Sequence, residues 1–337
     1  MQPVANIVKM KYIIVDTANL FFRARHTVSR SADLNERTGF AIHTTLASLQ
    51  KTWRDQSADH VVFCLEGRSW RKDYYQPYKR NRADSRAALT PREQEEDRVF
   101  WETYDKLTDF LKNKTNCTVL QHPRLEADDL IAGWVQSHPD DAHVIVSTDS
   151  DYMQLIAENV SIYNGVNREL ITHTGVYNDR GQPVVDKKTK ETKPPPNPAW
   201  MLFEKCMRGD TSDNVFSAYP GVRVKSSKNS VGLLEAFQDR DRKGYAWNNV
   251  MLQKWLDHEG AEHRVLDDYN RNRTLVDLSA QPEDVREIIT QTIAEVKTQA
   301  RPMIGTEFLR FCGRHELVKL GEQASYYVDI FTKSLKK

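Results

Sequence analysis

The sequence predicts an α/β fold: a central, mostly parallel sheet flanked by helices, followed by a helical module. Three observations predict it. Three apolar runs stop on an acid: Tyr12-Ile13-Ile14-Val15 at Asp16, Val61–Leu65 at Glu66, and Val144–Thr148 at Asp149, with Asp151 two residues on. Helical periodicity fills the gaps between these runs. From Asn197-Pro198 onward the pattern is helical throughout. Short β-branched runs bounded by polar residues read as strands covered on both faces. Ligands of open α/β sheets collect outside the carboxyl ends of the strands. If these strands are neighbours, their acids crowd one cleft and repel unless a cation sits among them. The pattern therefore predicts a divalent-metal site.

The elements follow in order. After Asp16 comes Leu20-Phe21-Phe22, then a polar turn near Asp33-Asn35. A helix is expected through Phe40, Leu46, Leu49 and Trp53. The second strand ends at Glu66. Thr90-Pro91-Arg92-Glu93 is a capping box with proline at the first helical position, and Val99, Tyr104, Leu107 and Leu111 give that helix its apolar face. Residues 125–135 form an acidic helix start with an apolar continuation. Residues 178–198, with Asn178-Asp179-Arg180-Gly181, a lysine-rich run and Pro194-Pro195-Pro196, read as an exposed, mobile hairpin or loop. Asn197-Pro198 caps the next helix. Another long helix is expected after Pro282. The boundaries expected are an α/β domain over 1–200, with a basic stretch within 68–115, and a helical domain over 201–337.

Composition narrows the class. The 337 residues carry a net charge of +1, yet acids gather at the strand ends and bases elsewhere. No apolar stretch reaches spanning length and no export signal opens the chain, which points to a cytosolic protein without membrane partners. Cys64, Cys117, Cys206 and Cys312 are widely spaced and read as reduced core residues. The histidines lack metal-ligand spacing, so zinc-type chemistry is not expected.

Two further acidic clusters join the strand ends. Glu126-Ala127-Asp128-Asp129 opens a helix, where a helix dipole alone would tolerate it. Gly209-Asp210-Thr211-Ser212-Asp213-Asn214 reads alone as a polar Asx turn. Together the clusters favour a shared site for a hard cation, and carboxylate-only ligation suits Mg²⁺ or Mn²⁺.

At this point six pieces stand in order: Val15-Asp16-Thr17-Ala18-Asn19, the strand ending near Glu66, Tyr78-Lys79-Arg80-Asn81-Arg82, Glu126-Ala127-Asp128-Asp129, Ser147-Thr148-Asp149-Ser150-Asp151, and Gly209 to Asn214. Over roughly residues 12–280 the sequence resembles the flap endonuclease family of 5′ nucleases, and within it the bacteriophage ribonuclease H type. The resemblance implies a first metal position of Asp16, Glu66, Glu126 and Asp128. It implies a second of Asp149, Asp151, Asp210 and Asp213, with Asp128 or Asp129 between the two. Family members usually carry aspartate where Glu66 stands.

Arg68, Arg71, Lys72, Lys79, Arg80, Arg82 and Arg86 interleave with Trp70, Tyr74, Tyr75 and Tyr78. Charge runs are usually solvated faces. Aromatic interleaving favours a nucleic-acid grip, because cations neutralise phosphates and rings stack bases. The resemblance makes this segment a helical arch, with Lys79 and Arg82 at the scissile phosphate and Tyr78 stacked on a terminal base. Tyr219 to Lys228 resembles the family's duplex-holding helix–turn–helix variant. There Arg223 stands where a second glycine is expected, and Arg223, Lys225 and Lys228 are the expected phosphate contacts.

The function implied is a monomeric nuclease using two Mg²⁺, replaceable by Mn²⁺, about 4 Å apart in an in-line displacement. Its substrates would be DNA with a 5′ flap or an RNA/DNA hybrid, and its task primer removal in replication. A single-strand-binding protein and the sliding clamp would be its replisome partners. One rival is a non-catalytic, structure-specific DNA-binding protein on the same scaffold. Another is a phosphatase with an aspartyl nucleophile, disfavoured because Ala18 stands where that class places a second acid.

Overall fold

The computed structural model describes residues 10–24, 33–228, 230–296 and 300–333. The opening residues, where no export signal is expected, lie outside the described residues. In chain order the first elements are β1 (Lys11–Asp16), α1 (Thr17–Ala24), α2 (Leu34–Asp55), β2 (His60–Cys64), α3 (Arg71–Tyr74), α4 (Arg80–Ala87) and α5 (Pro91–Lys114). Then come β3 (Thr118–Leu120), α6 (Ala127–Ser137), β4 (Ala142–Val146), β5 (Val160–Asn164), β6 (Glu169–Thr172) and β7 (Gly175–Asn178). The remainder holds α7 (Pro198–Arg208), α8 (Leu233–Asp239), α9 (Tyr245–Met251), β8 (Lys254–Leu256), β9 (Glu262–Arg264) and α10 (Val265–Val276). It closes with α11 (Glu283–Ala294), α12 (Ile304–Arg314), α13 (Val318–Glu322) and α14 (Ala324–Thr332).

The chain divides into two compact units. One comprises residues 1–69, 89–196 and 286–337, and the other residues 70–88 and 197–285. This differs from the contiguous division the sequence suggests, on two counts. The segment 70–88 belongs with the helical unit, because Tyr78 is buried with Cys206, Val215, Leu275 and Val276. The last helices belong with the sheet. Phe331 packs 5.4 Å from Phe110 and 5.3 Å from Phe308 by ring centroid, and its carbonyl accepts from the Asn116 amide at 2.8 Å.

In the first unit the sheet order is β3-β2-β1-β4-β5-β6-β7. The strands β3, β2, β1, β4 and β5 run parallel, and β6 and β7 complete an antiparallel edge. The three acid-ending strands are thus neighbours, with β1 between β2 and β4. Chain order reverses at β1, which is a topological switch point and the place where such sheets bind ligands. β1 and β2 are buried along almost their whole length, as β-branched runs covered on both faces require. The capping box at Thr90 forms as the sequence predicts, with the Glu93 amide donating to Thr90 Oγ1 at 3.3 Å and the Thr90 amide to Glu93 Oε2 at 2.8 Å. Asp33 caps α2 through its side chain alone, Oδ1 accepting the Asn35 and Glu36 amides at 2.7 and 3.0 Å. Residues 178–193 form a hairpin edged by the Tyr177–Pro183 and Val185–Thr192 bridges.

The second unit is helical around Phe203, Met207, Leu233, Phe237, Trp247 and Met251. It is not all helical, since β8 and β9 pair as an antiparallel hairpin. The Asn197 cap forms, its Oδ1 accepting from the Trp200 amide at 3.0 Å. The four cysteines are free thiols. Among the described residues no helix is long and apolar enough to cross a membrane.

Candidate active site

Asp16 ends β1 with its side chain buried. Three donors hold the carboxylate. The Asn19 amide donates to Oδ1 at 3.2 Å, while the hydroxyls of Ser147 and Tyr152 donate to Oδ2 at 3.0 and 3.2 Å. Burial pushes Asp16 up to about 6, and its charged neighbour Asp149 adds to the rise. The Asn19 side chain is fixed in turn, because the Thr148 amide and hydroxyl donate to its Oδ1 at 3.1 and 3.0 Å.

Asp149 lies just past β4 and is exposed. Its own amide donates to Ser147 Oγ at 3.1 Å, and its Oδ1 accepts the Asp151 amide at 2.9 Å. The turn after β4 is therefore folded around its own acids. A short 3₁₀ turn over Ser150–Leu155 then carries Tyr152 inward.

Glu66 follows β2 by two residues. Its Oε2 accepts the Ala127 amide at 3.1 Å, which sets it at the positive end of α6. Gly67 makes this possible. Its amide donates to the Leu125 carbonyl at 2.9 Å, and a Cβ there would lie 2.1 Å from the His122 carbonyl oxygen. At the start of α6, Glu126 is buried and accepts the Ser69 hydroxyl. Asp129 accepts the Glu126 amide at 3.1 Å, and Asp128 Oδ1 accepts the Asp129 amide at 2.7 Å. Glu126, Asp128 and Asp129 bring carboxylate oxygens within 4.8 Å of one another. The phenol of Tyr152 is pushed far up, first by burial and then by the charges of Asp16, Asp128, Asp149 and Glu66. One buried hydroxyl thus feels acids from β1, the β2 end, α6 and the β4 turn.

The other expected residues lie in the second unit. Gly209 at φ 74° turns the chain, and Asp210 and Val215 then exchange two backbone hydrogen bonds of 2.8 Å. A Cβ on Gly209 would lie 2.2 Å from the Val215 carbonyl oxygen. Asp210 Oδ2 pairs with Lys205 at 2.7 Å. Burial raises its pKa, but the Lys205 and Ser212 contacts outweigh burial and bring it down to about 2. Asp213 receives Tyr78 OH at 2.9 Å, Arg82 at 2.6 Å and Lys79 at 3.5 Å. Lys79 itself stands in left-handed backbone, φ 54°.

Two expected nucleic-acid contacts face inward instead. Arg71 is 1% exposed, and its Nε donates to the Leu275 carbonyl at 2.7 Å. Tyr78 is 3% exposed, so its ring has no free face for a base. Both tie the arch segment to α10 and its surroundings, because a basic run with apolar neighbours must bury something to fold. Arg68, Lys72, Arg80, Arg82, Arg223, Lys225 and Lys228 are exposed. The glycine missing at Arg223 does not strain the turn. Left-handed backbone falls at Gly221, φ 75°, and the Arg223 and Val224 carbonyls accept the amides of Leu233 and Leu234.

A family model described as 5′-3′ exonuclease, N-terminal resolvase-like domain, matches residues 11–181. This chain belongs to that 5′-3′ exonuclease family. It is similar to the 5′-3′ exonuclease of Bacillus subtilis strain 168, with 26% identity over 282 residues covering 80% of this chain and 83% of the relative. The ribonuclease H of Enterobacteria phage T4 is 26% identical over 271 residues, 74% of each chain. The DNA polymerase I of Rhizobium leguminosarum is 28% identical over 243 residues, covering 68% of this chain, and the chain spans 21% of that polymerase's length. Among solved structures, a flap endonuclease of bacteriophage T5 in complex with DNA and metal ions shares the fold. Its TM-score is 0.56 at 20% identity, covering 85% of this chain and 98% of that one.

The acids of this chain fit a divalent metal by their chemistry. The donors are oxygens only, several are held by backbone amides, and burial, with the charge of Asp149 adding to it, raises Asp16. Sequence reasoning missed the residues that orient them: Ser147, Tyr152, Asn19 and Ser69. A signal existed for two, since Asn19 and Ser147 sit inside the quoted motifs. Nothing in the sequence marks Tyr152.

Proposed function

We propose that this chain is a Mg²⁺-dependent 5′→3′ exonuclease and flap endonuclease, with ribonuclease H action on RNA primers. The observation that carries the reading is the clustering of the Glu126, Asp128 and Asp129 carboxylates at the start of α6, together with Asp16 tied to the β4 end at the switch point of the sheet. Asp16, Glu66, Glu126, Asp128, Asp149 and Asp151 would hold the metal, and a bound pair of Mg²⁺ ions would supply charge stabilisation for in-line phosphodiester hydrolysis. The chain's own groups do the rest. Backbone amides and hydroxyls fix the carboxylates before metal arrives, so little reorganisation is left for the reaction. Lys79 and Arg82 exchange their contacts with Asp213 for a substrate phosphate, and Arg223, Lys225 and Lys228 contact duplex phosphates. Water is the attacking group in this reading, as in metal-assisted hydrolysis generally. A free 5′ end or flap on DNA, or an RNA/DNA hybrid, is the proposed substrate, handled in the cytosol.

A 5′-end-labelled flap incubated with and without Mg²⁺ tests this. Labelled fragments that appear only with metal support it. Binding without cleavage leaves a DNA-binding scaffold, and cleavage of a small phosphomonoester alone overturns both readings.

A further inference from the structure

We propose that Tyr152 is a positioning residue that makes Asp16 a single-lone-pair metal ligand through Oδ1. The inference rests on the metal-dependent reading above and deepens it. A carboxylate offers about four lone-pair directions. On Asp16 Oδ2 both are taken, by the hydroxyls of Ser147 and Tyr152 at 3.0 and 3.2 Å. On Oδ1 one is taken, by the Asn19 amide at 3.2 Å. One direction on Oδ1 remains for a cation.

The two hydroxyls differ in what holds them. Ser147 accepts the Asp149 amide and donates to Asp16, so it links the ends of β1 and β4. Tyr152 is buried to 2% exposure, and its O–H is donated to Asp16. It lowers the electron density on Oδ2, blocks bidentate ligation and stops the carboxylate from rotating. Groups that orient a metal ligand in this way typically matter about 10–100-fold in metal affinity or activity.

The test is Tyr152→Phe, which keeps the ring and deletes the hydroxyl. Mn²⁺ binding to the substrate-free protein is measured by calorimetry and by the EPR signal of free Mn²⁺. Flap cleavage is then followed against Mg²⁺ concentration. The expected result is Mn²⁺ affinity weakened about tenfold, with Mg²⁺ half-saturation raised to match. Substrate KM and melting temperature should hold, and excess Mg²⁺ should restore most of kcat. Ser147→Ala removes the other donor to the same oxygen and should shift Mn²⁺ affinity in the same sense, which guards against a folding defect in either variant. Mn²⁺ affinity within twofold of the parent in both variants overturns the positioning role while leaving the nuclease reading intact. A parent protein that binds no Mn²⁺ and cleaves no flap overturns that reading itself.

Discussion

The Ser147 hydroxyl, one residue past β4, donates to Asp16 Oδ2 at the end of β1 across 3.0 Å. The register places Val15 beside Val146, so both residues emerge from adjacent strands at one level. The contact turns two separate strand ends into one rigid rim, on which the acids are displayed.

Asp16 destabilises the metal-free protein at neutral pH. Its folded pKa of about 6 lies above the ordinary 3.8, so the folded state binds the proton more tightly. That contribution is fully favourable below about pH 4 and is lost as pH rises through about 6. Asp16→Asn should therefore raise metal-free stability at pH 8 by up to about 3 kcal/mol while abolishing cleavage. Melting curves in a chelator at pH 8 and pH 3.5 check it, and the gain should vanish at the lower pH.

Arg71 and Arg68 should separate cleanly although three residues apart. Arg71→Ala removes a buried guanidinium and orphans the Leu275 carbonyl, at a cost of about 2–3 kcal/mol. Arg68→Ala should leave the melting temperature within a degree or two and weaken flap binding, with a shallower salt dependence. Thermal melts paired with binding at two salt concentrations distinguish them.

Lys79→Ala should lower kcat about a hundredfold or more while changing flap affinity little. Equal losses in single-turnover rate and affinity would make Lys79 a phosphate clamp and nothing else.

Glu66→Gln keeps an oxygen for the Ala127 amide and loses the charge. Mg²⁺ half-saturation in flap cleavage should rise about tenfold, with the melting temperature held. An unchanged Mg²⁺ dependence would place the ligand elsewhere.

The sequence made the centre of the sheet legible because β1, β2 and β4 are buried runs with abrupt polar ends. Their adjacency follows from that burial, since strands covered on both faces belong in the interior of a parallel sheet. Less was legible at the edges. β3 has three residues, and β6 and β7 are half-exposed, so none shows a strong period. The acids could be found because each closes a run or caps a helix. Their orienting hydroxyls could not, since Tyr152 reaches Asp16 across 136 residues of chain. Arg71 and Tyr78 were hidden for another reason. A run of bases and rings reads as one exposed strip, and only packing decides which members turn inward.

The helical unit is assembled from two stretches of chain that are 108 residues apart, 70–88 and 197–285. A fragment of 197–285 alone would lack the Tyr78 ring and the Arg71 guanidinium, leaving Cys206, Val215 and the Leu275 carbonyl open to water. This half of the protein therefore cannot be cut out as a tidy module. During synthesis the arch segment must wait, with its apolar ring uncovered, until the ribosome has made the partner it is meant to grip.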